Sequence, residues 1–312
     1  MVSLKAWIGA ALATYLLAAT AAVPCQAQSA FAGNNACKTC HADLWQPFFR
    51  NPHFKSIASG KEPPENAGCE GCHGPGKEHV DAKGGKTTIP RAFSLMSARQ
   101  SLDTCLACHT KDLSRSEIRR SSHTQSDVAC ANCHSIHRSQ SPKALLAKPQ
   151  AQLCYGCHSS VRAQFSMPTK HRVNEGFMKC TDCHNPHGAA SPSWRMGDRP
   201  RMTHAGIDGE QSCLRCHTDK RGPFAFEHPG TRVEGCETCH SPHGSTNPRM
   251  LKRPLVFTVC LECHTGAGAF GRQGDGVTPQ SGSHNMADPK YQNCTTCHVR
   301  IHGSNADRLF LR

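Results

Sequence analysis

One pattern, Cys-x-x-Cys-His, recurs ten times in this 312-residue chain and takes up all but one of its 21 cysteines. The units are Cys37/Cys40/His41, Cys69/Cys72/His73, Cys105/Cys108/His109, Cys130/Cys133/His134 and Cys154/Cys157/His158. Then come Cys180/Cys183/His184, Cys213/Cys216/His217, Cys236/Cys239/His240, Cys260/Cys263/His264 and Cys294/Cys297/His298. On a helical turn, residues i, i+3 and i+4 share one face. Two thiols so placed reach neighbouring points on the rim of a flat ligand, and the histidine reaches its centre from the same side. That is the geometry of c-type haem attachment, thiols on the two vinyl groups and imidazole on the iron. A zinc scaffold needs paired cysteines but no histidine after every pair. A thioredoxin-like redox pair is a single motif in an α/β setting. Ten repeated units fit neither.

The far side of each iron needs its own ligand. Eleven histidines lie outside the motifs: His53, His79, His123, His137, His171, His187, His204, His228, His243, His284 and His302. An internal duplication sorts them. "CLACHT" matches "CLRCHT", and "CHSIHRSQSPKALLAKPQAQLCYGCH" matches "CHSPHGSTNPRMLKRPLVFTVCLECH". "KCTDCHNPHG" matches "NCTTCHVRIHG". Within each four-motif block, every second motif has one histidine upstream and one just downstream. These are His123 and His137, His171 and His187, His228 and His243, and His284 and His302. The leading two motifs have His53 and His79. His204 has no counterpart and is expected to be the histidine that binds no iron. Methionine is the competing distal ligand, but the histidine supply already meets the demand. A histidine three residues after the proximal one cannot swing round to the same iron. His137, His187, His243 and His302 are therefore expected to serve a neighbouring haem, tying haems into sequence-adjacent pairs.

The N-terminus reads as a secretory signal. It has Lys5, an apolar run from Ala6 to Ala22, then small residues, with cleavage expected after Ala27 or, as second choice, Ala30. A retained membrane anchor is the alternative, though the run is short for a span. Cleavage would remove Cys25, the cysteine outside the motifs. The expected organisation is a signal at 1–27, a two-haem segment at 28–104, four-haem blocks at 105–188 and 213–312, and a connector at 189–212. The longer haem-free stretches are 74–103, 189–212 and 265–293. Only 37% of residues are hydrophobic while glycine and proline number 26 and 20, which is lean for burying a core. The expected fold is a multihaem cytochrome c, with short α-helices and irregular loops wrapped around a stacked haem chain and little or no β-sheet. Trp45, Phe48, Phe49 and Phe54 either pack on porphyrin or mark a docking surface.

The formal charge of +13 needs correcting for the cofactor. Two propionates on each of ten haems add roughly −20, and ferric iron returns about +10. The oxidised holoprotein is then near neutral, so the basic residues give little support to a nucleic-acid partner. Iron held by two imidazoles has no vacant position, and histidine in place of methionine lowers its potential. That suits electron transfer and argues against an enzyme. A reductase would want an open iron, and no Cys-x-x-Cys-Lys motif occurs.

The ten motifs, the signal and the "CHNPHG" and "CHSPHG" units resemble periplasmic decahaem cytochromes of the MtrA, DmsE, MtoA and PioA type, over essentially the whole mature chain. The resemblance implies a haem wire inserted in an outer-membrane β-barrel porin, conducting electrons between periplasm and cell exterior for extracellular metal reduction or Fe(II) oxidation. It implies periplasmic or inner-membrane cytochrome c donors and acceptors, and an extracellular multihaem cytochrome as a further partner. The alternative is a soluble periplasmic electron shuttle to or from a reductase.

Overall fold

The computed structural model describes residues 29–111, 113–139, 141, 144–188, 212–264 and 288–312. The signal segment, the connector with His204, and the stretch with His284 lie outside these. Among the described residues the chain forms short helices and loops with isolated β-bridges, and no strand pairs into a sheet. This is the expected fold class. No helix among them is long and apolar enough to cross a membrane.

The motifs nucleate much of the helix. In nine of the ten, the histidine N–H donates to the carbonyl of the first cysteine at 2.8–3.1 Å, closing one helical turn. The second motif sits inside the helix Gly68–His73. In two motifs the residue before the second cysteine caps its own turn. Asn132 Oδ1 accepts from Ala129 N–H and Asp182 Oδ2 from Lys179 N–H, both at 2.8 Å, satisfying a donor that the helix start would orphan. The turns carrying Cys213, Cys236 and Cys294 are tighter 3-10 turns.

The longest helix among the described residues, Ala98–Leu106, starts inside a stretch the sequence suggested was irregular. A capping box explains it: Gln100 N–H donates to Ser97 Oγ, and Ser97 N–H to Gln100 Oε1 at 2.8 Å. Ala98, Leu102 and Leu106, spaced by four, bury one face. Only Leu145, Phe165 and Val173 join them as buried apolar side chains among the described residues. So small a core leaves the cofactor to supply the interior.

The described chain divides into two compact units, 29–42 with 55–92, and 43–54 with 93 onward. In the first, the buried Glu70 carboxylate accepts from the N–H groups of Ala32, Gly33 and Gly76 at 2.8–2.9 Å. In the second, residues 43–54 pack with the later chain. Asn51 Nδ2 donates to Ile136 O, and Arg138 pairs with Asp43. Trp45, Phe48, Phe49 and Phe54 cluster, with Phe49 and Phe54 ring centroids 4.1 Å apart.

Candidate functional site

Proximal and extra-motif histidines face each other in twos. His41 faces His79 with ring centroids 6.4 Å apart, His53 faces His109 at 5.7 Å, and His123 faces His158 at 6.1 Å. His134 faces His187 at 6.1 Å, His171 faces His217 at 6.3 Å, and His184 faces His243 at 5.9 Å. His228 faces His264 at 6.2 Å and His240 faces His302 at 6.3 Å. No group of three or more His, Cys, Asp or Glu converges on a common point among the described residues.

The spacing can be compared with what iron needs. A first-row metal holds imidazole nitrogen at about 2.0–2.1 Å. Two imidazoles on opposite sides of one iron therefore bring their Nε2 atoms about 4 Å apart and their ring centres about 6.3 Å apart. Seven of the eight pairs lie within half an ångström of that. The eighth, His53 with His109, has Nε2 atoms 3.5 Å apart and must open slightly.

In nine histidines a hydrogen bond at the other ring nitrogen fixes the tautomer presented. Nδ1–H donates to a backbone carbonyl in His73 (Arg91 O, 3.0 Å), His79 (Gly85 O, 3.0 Å), His123 (Pro186 O, 2.9 Å) and His134 (Ala144 O, 2.7 Å). The same holds for His171 (Pro242 O, 2.7 Å), His240 (Arg249 O, 2.9 Å) and His298 (Leu309 O, 2.5 Å). Side-chain amides do it for His53 (Asn51 Oδ1, 2.9 Å) and His243 (Gln164 Oε1, 2.9 Å). Metal-bound histidines are held in this way, leaving Nε2 free for the metal. Burial pushes His53, His228, His243 and His302 below the ordinary imidazole range, so they present neutral lone pairs; the facing histidines add to the shift.

The thiols are ordered too. First cysteines of successive motifs meet in hydrogen-bonded pairs: Cys37 with Cys69, Cys105 with Cys130, Cys154 with Cys180, Cys213 with Cys236, and Cys260 with Cys294. In four of these pairs the shared hydrogen bond draws one member, Cys37, Cys130, Cys180 or Cys213, down to about 7. Between those pairs the second cysteines come near: Cys133 by Cys157, Cys183 by Cys216, and Cys239 by Cys263.

Attachment is expected alike at all twenty motif cysteines, but the structure shelters them unequally. Cys40, Cys108, Cys157, Cys216, Cys263 and Cys297 are exposed, and all six are second cysteines. The first cysteines are half-buried throughout, because each turns toward the first cysteine of its paired motif. Cys40 and Cys297 belong to the first and last motifs, where the alternation of contacts has no further motif to reach. Cys72, in the first compact unit, is half-buried, and Cys108, in the second, is exposed. None of the twenty is joined in a disulfide.

The pairing corrects one expectation. The downstream histidines do leave their own motif, but they do not join sequence-adjacent motifs. His187, His243 and His302 each face the proximal histidine two motifs back. The upstream histidines His53, His123, His171 and His228 face the proximal histidine of the motif after the one they precede. Loop register causes this. Thr169 and Ser245 exchange two backbone hydrogen bonds at 3.2 and 2.8 Å, and Phe226 and Ser304 do the same at 2.8 and 2.9 Å. Each bridge lies two residues before an upstream histidine and two after a downstream one. The glycine after each downstream histidine permits the approach. A Cβ on Gly244 would collide with the Gln164 carbonyl, and one on Gly303 with the Phe224 ring.

His137 and His284 are the extra-motif histidines of the expected set that these eight pairs do not use. The Nδ1 acceptors were missed from sequence. Pro186 and Pro242 could have been found, since "HNPH" and "HSPH" repeat the same proline; Gln164 carries no such signal.

The chain matches the family described as doubled CXXCH motif over residues 123–163 and 228–269. It matches cytochrome c7 and related cytochrome c over 165–241, and cytochrome c554 and c-prime over 78–135. It is 33% identical over 280 residues to the multiheme cytochrome MtrA of Shewanella baltica, covering 88% of this chain and 79% of that protein. Over 129 residues it is 28% identical to the cytochrome c-type protein NrfB of Escherichia coli O6:H1, covering 41% of this chain and 66% of that protein. Motifs that close a turn under each histidine, imidazoles set an iron's width apart and a relative alike over most of its length agree: the chain belongs to the MtrA family of multihaem c-type cytochromes.

Proposed function

We propose that the chain holds ten haems, each between two histidines, and conducts electrons along them between periplasm and cell exterior as part of an outer-membrane porin–cytochrome complex. Each bound haem supplies a one-electron ferric/ferrous couple, at low potential when both axial ligands are imidazole. The observation that carries the reading is the alternation of thiol contacts. First cysteines are hydrogen-bonded within motif pairs, and from the fourth motif to the ninth the second cysteines of neighbouring pairs lie near enough for the charge of one to raise the other. The thiols would mark the vinyl edges, so from the third motif to the tenth neighbouring attachment sites would follow one another in sequence order. Tunnelling rates fall steeply with distance, so a row of neighbouring edges held in this order would conduct.

The protein's own groups do three things. The cysteines hold the edges in register. The facing imidazoles would hold each iron from both sides and leave no place for a substrate, which fits a carrier better than an enzyme. Where a carbonyl or amide oxygen accepts from Nδ1, it would hold that imidazole as a strong donor. His137 and His284 are the remaining members of the proposed distal set. Lysine and arginine side chains, 36 in all, are available to neutralise propionates.

The partners that fit are a β-barrel porin, periplasmic or inner-membrane cytochromes at one end and an extracellular multihaem cytochrome at the other. Similarity to MtrA over most of both chains supports the complex. Detergent extraction of outer membranes tests it. A conduit co-migrates with a barrel protein and, in vesicles, reduces or oxidises a trapped dye from outside. Release in full by osmotic shock, with no barrel attached, would favour a soluble periplasmic shuttle instead.

A further inference from the structure

His123, His171 and His228 hold the same place in successive repeats and face His158, His217 and His264. His123 and His171 donate Nδ1–H to Pro186 O and Pro242 O. His228 does not follow: its Nδ1 is buried and has no hydrogen-bond partner among the described residues. The sequence explains the loss. Two residues separate the histidines of "HNPH" and "HSPH", but three separate them in His298-Val299-Arg300-Ile301-His302. The Phe226–Ser304 bridge keeps the same frame as Thr169–Ser245. The extra residue is therefore absorbed inside the loop, and the carbonyl that should meet His228 is displaced. Phe310 stands against the imidazole, its ring perpendicular at 5.7 Å.

We infer that the ninth iron site, His228 with His264, has a higher reduction potential than its repeat counterparts at His123–His158 and His171–His217, because His228 lacks the carbonyl that strengthens those two ligands. This rests on the bis-histidine reading above. A hydrogen bond from Nδ1 raises the basicity of Nε2 and favours ferric iron; without it, ferrous iron gains. The step is one electron from a neighbouring ferrous haem to the ninth ferric iron, with the Nδ1 proton staying in place. Electrons moving through the C-terminal repeat therefore dwell at the ninth site, one position from the end of the row.

Two variants of the full holoprotein test this. One shortens the loop to the repeat's form, with Val299→Asn, Ile301→Pro and Arg300 deleted, returning a carbonyl to His228. The other, Phe310→Gln, offers an amide oxygen in place of the ring. Haem count by mass comes first, then spectroelectrochemical titration. The expected result is that one-tenth of the reduction amplitude moves to lower potential in each variant while the remainder stays. Ten haems per chain with no downward shift in either variant overturns the inference and leaves the bis-histidine reading intact. If the shortened loop does not load ten haems, Phe310→Gln decides alone. Fewer than ten haems in the parent protein, or a distal ligand other than histidine, would instead count against the underlying reading.

Discussion

Replacing His187 by alanine should convert one haem in ten, and only one, from low spin to high spin. His187 faces His134 with ring centroids 6.1 Å apart and planes at 19°, close to the arrangement of two imidazoles on one iron. Alanine ends at Cβ, several ångströms short of the metal, and the loop cannot slide to compensate. Gly188 already lies so close to Glu117 that an added Cβ would meet the Glu117 carbonyl at 3.0 Å. No other side chain of the facing pairs is free to fill the place, since each has its own partner. The iron held by His134 is left with one strong ligand, and about one-tenth of the total haem should give a high-spin ferric signal. Electron paramagnetic resonance with spin counting measures this directly. Carbon monoxide should bind the reduced variant at one site per chain and the parent at none. Added imidazole should restore the low-spin signal by entering the space vacated. An all-low-spin variant would mean that His187 is not a ligand. High-spin character at two or more sites would mean that the histidines are coupled in a way that facing pairs do not describe.

His204→Ala should leave the haem spectrum unchanged, as the count assigns it no iron; a high-spin fraction in that variant would undo the ligand assignment. Gln164→Leu removes the acceptor at 2.9 Å from His243 Nδ1; it should raise the potential of one haem without a change of spin state, and a titration unchanged from the parent would contradict the role given to that bond. Gly244→Ala would drive a Cβ into the Gln164 carbonyl. Backbone cannot give way there cheaply, so His243 should be pulled from His184 and about one-tenth of the low-spin signal lost; a fully low-spin, fully loaded protein would show that the close approach is dispensable.

The ten motifs are legible because covalent haem attachment tolerates one spacing. Cys37/Cys40/His41 and its nine successors can be read without a structure, and so can the lean composition that makes the fold depend on its cofactor. What the spacing does not reveal is shelter: Cys40, Cys108 and Cys297 are exposed while Cys72 is half-buried, although the four motifs look alike. Matching supply with demand singled out ten histidines, and eight of them face a proximal histidine. Their partners were not legible. His187 meets His134 and not a motif beside its own because loops two motifs apart are laced together, as at Thr169–Ser245 and Phe226–Ser304, and such backbone bonds leave no mark on side-chain identity. A capping box of Ser97 and Gln100 starts the helix at Ala98, in a stretch where haem spacing alone suggested only loop. Glu70, which ties three backbone N–H groups, looks in sequence like any acidic residue between two cysteines.

The central claim is that ten porphyrins, each clasped between two imidazoles, form the interior of this protein. Intact mass of the mature chain, taken with iron per chain and the spin state of the oxidised protein, tests it most directly. The account requires the mass of the polypeptide plus ten haems, ten irons, and a wholly low-spin spectrum. A mass short of ten haems, or a substantial high-spin fraction in the unaltered protein, would contradict it.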